Sequence, residues 1–89
     1  MAIANVVVKN MENIDLASVE SGKSCEVVSI IGGFGLVHRL ARLGIKIGVK
    51  IKKISGQPMR GPVIVEIGNS QVAIGFGMAR KIFVKLLNE

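Results

Sequence analysis

The chain has 89 residues and a net charge of +6, from 12 Lys and Arg against 6 Asp and Glu. This length allows one small domain, and 49% hydrophobic residues exclude an intrinsically disordered chain. The single cysteine, Cys25, excludes an internal disulfide, and its apolar neighbours favour a buried, unreactive role. We find no signal-peptide pattern, and the longest charge-free run (67–79) is shorter than the roughly 20 apolar residues of a membrane span. We therefore expect a cytoplasmic protein with no membrane span of its own.

The first part of the chain divides into an extension and the start of a domain. Residues 1–14 contain three asparagines and are predicted to be an N-terminal extension, in which Val6–Val8 could add an edge strand. The domain itself is predicted to span residues 15–87. Ser24–Ile31 is predicted to be its first strand, because this run is rich in β-branched residues. Since the run is apolar on both faces, we expect the strand to lie inside the fold.

A helix with a specified end follows this strand. Apolar residues recur at helical spacing, and polar residues fill the remaining arc: Leu36, Leu40 and Leu43 against His38, Arg39 and Arg42. Gly44 is placed to end the helix in a left-handed conformation, which would let Ile45 fold back onto Leu40. The pattern predicts a helix of about ten residues.

The rest of the chain is predicted to be mainly β-structure. Lys50 and Lys52 alternate with apolar residues until the alternation slips, so that Lys53 and Ile54 exchange sides, which predicts a β-bulge. Further strands are predicted on both sides of a tight turn at Gly68-Asn69 and at the end of the chain, with a short helical turn between the last two. These elements predict a mainly β fold with one or two short helices, arranged as a small closed barrel of about five strands.

The motifs that carry chemistry in other proteins are incomplete in this chain. The glycine-rich stretch 32–35 precedes a helix as a phosphate-binding loop would, but the dinucleotide fingerprint needs a glycine where His38 stands. His38 and Cys25 are the sole histidine and cysteine, and the carboxylates are scattered, so no metal site and no catalytic set is predicted. We expect no cofactor, and we expect that the protein is not an enzyme.

Positive charge is concentrated in the middle of the chain. Between Glu26 and Glu66 there are no acidic residues and seven basic ones, namely Arg39, Arg42, Lys46, Lys50, Lys52, Lys53 and Arg60. Such a block could meet nucleic acid, anionic lipid or an acidic protein surface, or it could simply keep a very apolar small domain soluble. Small nucleic-acid-binding barrels stack bases on aromatic side chains, but this chain has only three phenylalanines, two of them expected in the core. Protein recognition is the better match, and a mean hydropathy of +0.52 also indicates self-association.

The order and spacing of several motifs resemble one protein family, the FeoA family. The motifs are Leu16, the strand CEVVSI, the helix and stop RLARLGIKIGVKI, the stretch QPMRGPVIVEIGNSQVAI and the closing MARKIFV. The resemblance runs from about Leu16 to Leu86. The sequence departs from the family pattern at Ile47, where the family often has proline, and at 75–78, where it is usually polar and charged.

The resemblance implies an SH3-like barrel and a non-enzymatic role. FeoA proteins are small cytosolic proteins of bacterial ferrous-iron uptake. The same domain is the C-terminal module of metalloregulators of the diphtheria-toxin-repressor type. The resemblance implies binding to the cytoplasmic side of the ferrous-iron transporter FeoB, at the inner face of the membrane. The residues expected to contact this partner are Arg39, Arg42, Lys46, Lys50, Met59 and Arg60. Two alternatives stay open, a small-barrel nucleic-acid binder and a stand-alone metal-responsive regulatory domain.

Overall fold

Aliphatic segments separated by glycine-containing turns form a six-stranded antiparallel sheet. The computed structural model describes residues 13–56 and 61–87. The elements are, in chain order, β1 (Asn13–Asp15), a 3-10 turn (Leu16–Ser18), β2 (Ser24–Ile30), α1 (Phe34–Arg42), β3 (Lys50–Gly56), β4 (Val63–Ile67), β5 (Ser70–Ile74), α2 (Phe76–Ala79) and β6 (Ile82–Leu86). The strands are hydrogen-bonded in the order β1-β6-β2-β3-β4-β5. The prediction of a mainly β fold with one or two short α-helices is confirmed.

Strand β2 lies between β6 and β3, as its apolar sequence predicts. Cys25 has Leu86 as its Cα partner on one side and Ile51 on the other. The register of the sheet shifts twice, once along β2 and once between Lys53 and Ser55 of β3. The bulge predicted from the slipped alternation is therefore confirmed. The expectation that Lys53 and Ile54 exchange sides is wrong, because Lys53 is buried on the same side of β3 as Ile51.

One aliphatic core fills the space inside the bent sheet. Its buried members are Leu16, Val19, Cys25, Val27, Leu40, Ile45, Ile51, Val63, Val65, Ile74, Ala79, Ile82 and Val84. The expectation that two phenylalanines belong to this core is wrong, since Phe76 and Phe83 are only half-buried. Phe83 lies between Ile82 and Val84, and side chains alternate between the two faces of a strand, so the ring points away from the core.

The end of α1 joins the helix to this core. Gly44 has a φ of 91°, in the left-handed region. The Ile45 amide donates to the Leu40 carbonyl over 2.9 Å, and the Gly44 amide donates to Ala41 over 3.0 Å, which is the hydrogen-bond pair of a Schellman ending. Leu40 and Ile45 are both fully buried. The prediction that the chain folds back to bring Ile45 to Leu40 is therefore confirmed. Leu43 is exposed, because Ile45 takes the core position at the end of the apolar stripe.

The sheet contains one strand more than the sequence predicts. Strand β1 pairs with β6, with Asn13 opposite Lys85 and Asp15 opposite Phe83, so Asn13 and Ile14 of the expected extension belong to the sheet. Val6–Val8 lie outside the described residues. Within residues 13–56 and 61–87, β1 and β5 are the two edges and do not pair with each other, so the predicted closure by hydrogen bonds is not seen there.

Changing Gly44 to alanine is expected to destabilise the protein by about 1–2 kcal/mol, because an L-residue is strained at this positive φ. Space does not limit this substitution, since the nearest atom to an added Cβ is the Ile67 Cγ2 at 3.6 Å. Gly35→Ala is the matched control. Gly35 lies in α1 with open space around it, so its replacement should stabilise by about 0.5–1 kcal/mol. Urea unfolding of both variants measures the two effects, and equal signs would contradict this account.

Candidate functional site

Helix α1 presents a basic strip to solvent. Arg39 and Arg42 are both exposed and lie three residues apart, which places them about one turn apart on the same side of the helix. Leu40, on the opposite side, is fully buried and determines which face of the helix turns outward. The helix contains no acidic residue, so the two guanidinium groups have no carboxylate on their own element.

The other residues predicted to contact a partner are spread beyond this helix. Lys46 is exposed in the turn that follows the Schellman ending. Lys50 is exposed on the sheet, where its Cα partner is Glu26. Lys50 therefore has an acidic neighbour across the sheet, whereas Arg39 and Arg42 have no acidic residue on their own helix. Met59 and Arg60 lie outside the described residues. The structure therefore brings Arg39 and Arg42 together and places Lys50 on the sheet, opposite Glu26.

Sequence reasoning missed an apolar tip formed by Ile31, Phe34 and Val37. Phe34 is 85% exposed and Ile31 is 59% exposed, and Val37 lies one helical turn after Phe34 and is also exposed. The His38 ring is near Phe34, with ring centroids 6.3 Å apart. The helical phase could have revealed this tip, because at about 100° per residue Phe34 lies far round the helix from Leu36 and Leu40.

A second pair of cations lies at the same end of the sheet. The Ile31 amide donates to the Lys81 carbonyl over 2.8 Å, which brings the turn after α2 beside the apolar tip. Arg80 and Lys81 are exposed, and the Arg80 guanidinium carbon lies 6.0 Å from the centre of the Phe76 ring. These residues line an open hollow of about 470 Å³ together with Gly77.

Among residues 13–56 and 61–87 one charged residue is buried, Lys53, which is only 5% exposed. Its Nζ donates to the Ala17 carbonyl over 2.8 Å, so β3 is tied to the 3-10 turn. Burial lowers the pKa of Lys53, while the negative charges of Asp15 and of a Cys25 thiolate act in the opposite direction. Burial raises the pKa of Cys25 to about 11, against the opposing effect of Lys53. Cys25 is fully buried as predicted, and its thiol stays protonated and inert near neutral pH.

The described part of the chain contains no cluster of metal-ligating side chains. Within residues 13–56 and 61–87, no group of three or more His, Cys, Asp or Glu side chains is placed to hold a metal ion. A second open cavity, of about 180 Å³, is lined by Lys50, Lys52 and Glu66 among others. No helix in the described part of the chain is long and apolar enough to cross a membrane.

An antiparallel sheet around an aliphatic core, with one helix attached to that core, is the architecture of small SH3-like domains. The sequence model of the FeoA domain matches residues 14–86. A protein of Methanocaldococcus jannaschii, provisionally named Fe(2+) transport protein A, is 43% identical over 70 residues, which are 79% of this chain and 83% of the relative. The chain belongs to the FeoA family.

Solved structures with this fold include an FeoA protein and a metal-dependent repressor. The crystal structure of an iron uptake regulatory protein, FeoA, superposes with a TM-score of 0.80 at 31% identity and covers 84% of this chain and 99% of that one. A manganese-dependent transcriptional repressor has a TM-score of 0.77 at 21% identity, and the match covers 84% of this chain but 42% of the repressor. The second likeness shows the fold alone. The SH3-like fold that the sequence motifs imply is confirmed.

Replacing Lys53 by methionine should remove a pH-dependent part of the stability. In the wild type the lowered pKa of Lys53 means that the unfolded chain binds more protons than the folded chain between that lowered pKa and 10.5. The free energy of unfolding therefore increases as the pH rises from the lowered pKa of Lys53 towards 10.5. This increase should be absent from Lys53→Met. Urea unfolding at a series of pH values measures it.

Lys52→Met is the control for this series, because Lys52 is the exposed neighbour on the same strand. The Cys25 thiol acts in the opposite direction between pH 9 and 11, where the folded chain keeps a proton that the unfolded chain loses. Its contribution cancels between the wild type and Lys52→Met. In Lys53→Met the loss of the nearby positive charge raises the Cys25 pKa further, which lowers stability at high pH and adds to the expected difference. Parallel pH profiles for the wild type and Lys53→Met would refute the prediction.

Proposed function

We propose that the protein is a non-catalytic accessory protein of ferrous-iron uptake that binds the cytoplasmic side of the transporter FeoB and supports or regulates it. The observation that carries this proposal is membership of the FeoA family over residues 14–86, together with a relative whose name refers to Fe(2+) transport. The domain of residues 15–87 is the binding module. The protein acts in the cytoplasm and reaches the inner face of the membrane through its partner.

The basic strip of α1 supports a protein-binding role. Arg39 and Arg42 are exposed and share one side of a helix without acidic residues, so they favour an acidic partner surface. Charges of this kind accelerate association and orient the two proteins before they touch. Lys46, Lys50, Met59 and Arg60 extend the proposed contact beyond the helix, with Lys50 the weakest member because Glu26 lies opposite it.

Iron is the cargo of the transporter in this proposal and is not held by the accessory protein. Ferrous iron favours sites built from several imidazole and carboxylate ligands. His38 is the single histidine of the chain and lies on the exposed side of α1, beside Phe34. The protein would therefore act on uptake through contact with FeoB.

The double variant Arg39→Glu/Arg42→Glu should bind the cytoplasmic part of FeoB roughly tenfold more weakly or worse, since like charges opposed across an interface cost several kcal/mol. A pull-down at several salt concentrations measures this, and wild-type binding should weaken as salt rises. Lys52→Glu is the matched control, because Lys52 is exposed on the sheet opposite Glu66. Absence of wild-type binding at low salt, with iron uptake unchanged after deletion of the protein, would refute the proposal.

A further inference from the structure

The apolar tip leaves large hydrophobic side chains in water at one end of the molecule. Phe34 is 85% exposed, and its ring extends beyond the helix near the His38 ring. Ile31 precedes it by three residues, directly after the end of β2, and Val37 follows it by one turn of α1. The three residues are close together along the chain, and all three are exposed. An exposed aromatic ring of this kind gains free energy from any apolar environment that it enters.

Positive charge lies directly beside the tip. The hydrogen bond from the Ile31 amide to the Lys81 carbonyl places Lys81 next to it, and Arg80 precedes Lys81 in the same turn. The hollow lined by Phe76, Arg80 and Lys81 has about 470 Å³ and opens to solvent. It therefore offers two cationic side chains and space for an anionic group such as a phosphodiester.

Two acidic residues of the described sheet, Glu26 and Asp15, are distant from this end or engaged by other groups. Glu26, on the same strand as the tip, lies about 17 Å from Ile31 at the usual rise per residue, and it has Lys50 and Lys85 as its neighbours across the sheet. Asp15 accepts a hydrogen bond from the Ser18 hydroxyl and favours the charged form of Lys53. An apolar tip with cations beside it is complementary to a surface that is anionic outside and apolar beneath.

The size of the tip favours a lipid bilayer over a protein as that surface. A stable protein interface buries about 800 Å² on each partner around a packed apolar core, whereas a single phenylalanine buries roughly 150–250 Å². Three partly exposed side chains cover too little area for such an interface. Reversible attachment to an anionic bilayer needs only a few apolar side chains at the acyl-headgroup boundary, supported by basic residues.

We propose that this end of the protein binds directly and reversibly to anionic phospholipid bilayers. Ile31, Phe34 and Val37 enter the boundary between headgroups and acyl chains, while Arg80 and Lys81 contact headgroup phosphates. The inference deepens the proposed function, because a protein held on the lipid beside a membrane transporter meets it at a higher local concentration. The basic strip of Arg39 and Arg42 lies on another side of α1 and stays available for the transporter.

Co-sedimentation with vesicles tests the proposal on the full chain in the absence of FeoB. The wild type should bind vesicles of phosphatidylcholine mixed with phosphatidylglycerol, and should remain in solution with phosphatidylcholine alone. Phe34→Ser should reduce the partition coefficient roughly tenfold, as expected for withholding one phenylalanine from an apolar phase. Arg80→Gln and Lys81→Gln should each reduce it roughly fivefold. Rising salt should weaken binding in the same direction as the charge variants.

Two control variants separate the tip from general surface properties. Leu86→Ser removes an exposed leucine at the opposite end of β6, where Leu86 pairs with Cys25, while Ile82 pairs with Ile30 beside the tip. Lys52→Gln removes an exposed charge from the sheet. Both should bind vesicles like the wild type. Phe34→Ser should unfold at the wild-type urea concentration because its side chain is exposed, so a loss of binding will not reflect a loss of folding.

Three outcomes would overturn the inference. The first is a wild type that stays in the supernatant with anionic vesicles at low salt. The second is a Phe34→Ser variant that binds vesicles as well as the wild type does. The third is a tip that binds protein instead of lipid. In that case the wild type would not bind vesicles, and Phe34→Ser would abolish either lipid-free capture of FeoB or self-association in sedimentation. Because the FeoB pull-down contains no lipid and the vesicles contain no FeoB, the two proposals can fail separately.

Discussion

The hydrogen bond from the Ile45 amide to the Leu40 carbonyl, across the left-handed Gly44, is the constraint on which the arrangement of the surface depends. It reverses the chain within one residue, so that Ile45 enters the core that Leu40 already occupies. Three residues later the Gly48 amide donates to the Val27 carbonyl over 2.8 Å, which starts β3 beside β2. One local turn thus attaches the helix to the sheet and determines the orientation of both.

The orientation of α1 decides which side chains can meet a partner. With Leu40 buried and Leu36 packed against the core, the helical period leaves two outward strips, one basic at Arg39 and Arg42 and one apolar at Phe34. Charges act over about 10 Å at moderate ionic strength, whereas apolar groups act only on contact. The helix can therefore attract an acidic surface through one strip and enter an apolar phase through the other. This division of one short helix underlies both proposals.

Much of the fold could be predicted because its signals are local. The first strand, the glycine-ended helix, the bulge in β3 and the turn at Gly68-Asn69 all follow from neighbouring residues, and all of them are present. Lys53 could not be placed in this way, since a buried ammonium group is costly unless it has a partner. Its partner is the Ala17 carbonyl, which is 36 residues away in sequence and becomes available only when the 3-10 turn packs beside β3. The candidate site was predicted only in part, because its arginines follow from the helical period while the apolar tip depends on which residues the core leaves uncovered.

The sequence by itself determined the class of fold, the end of α1 and the basic character of its outer face, because each depends on residues within a turn or a strand of one another. Only the tertiary structure decided which charges remain unbalanced and which apolar side chains remain in water. Glu26 is opposite Lys50, and Lys81 is beside Ile31, because β2 pairs with both β3 and β6. These neighbours are brought together by strand pairing across long intervals of sequence, and no local periodicity encodes which residues will face each other.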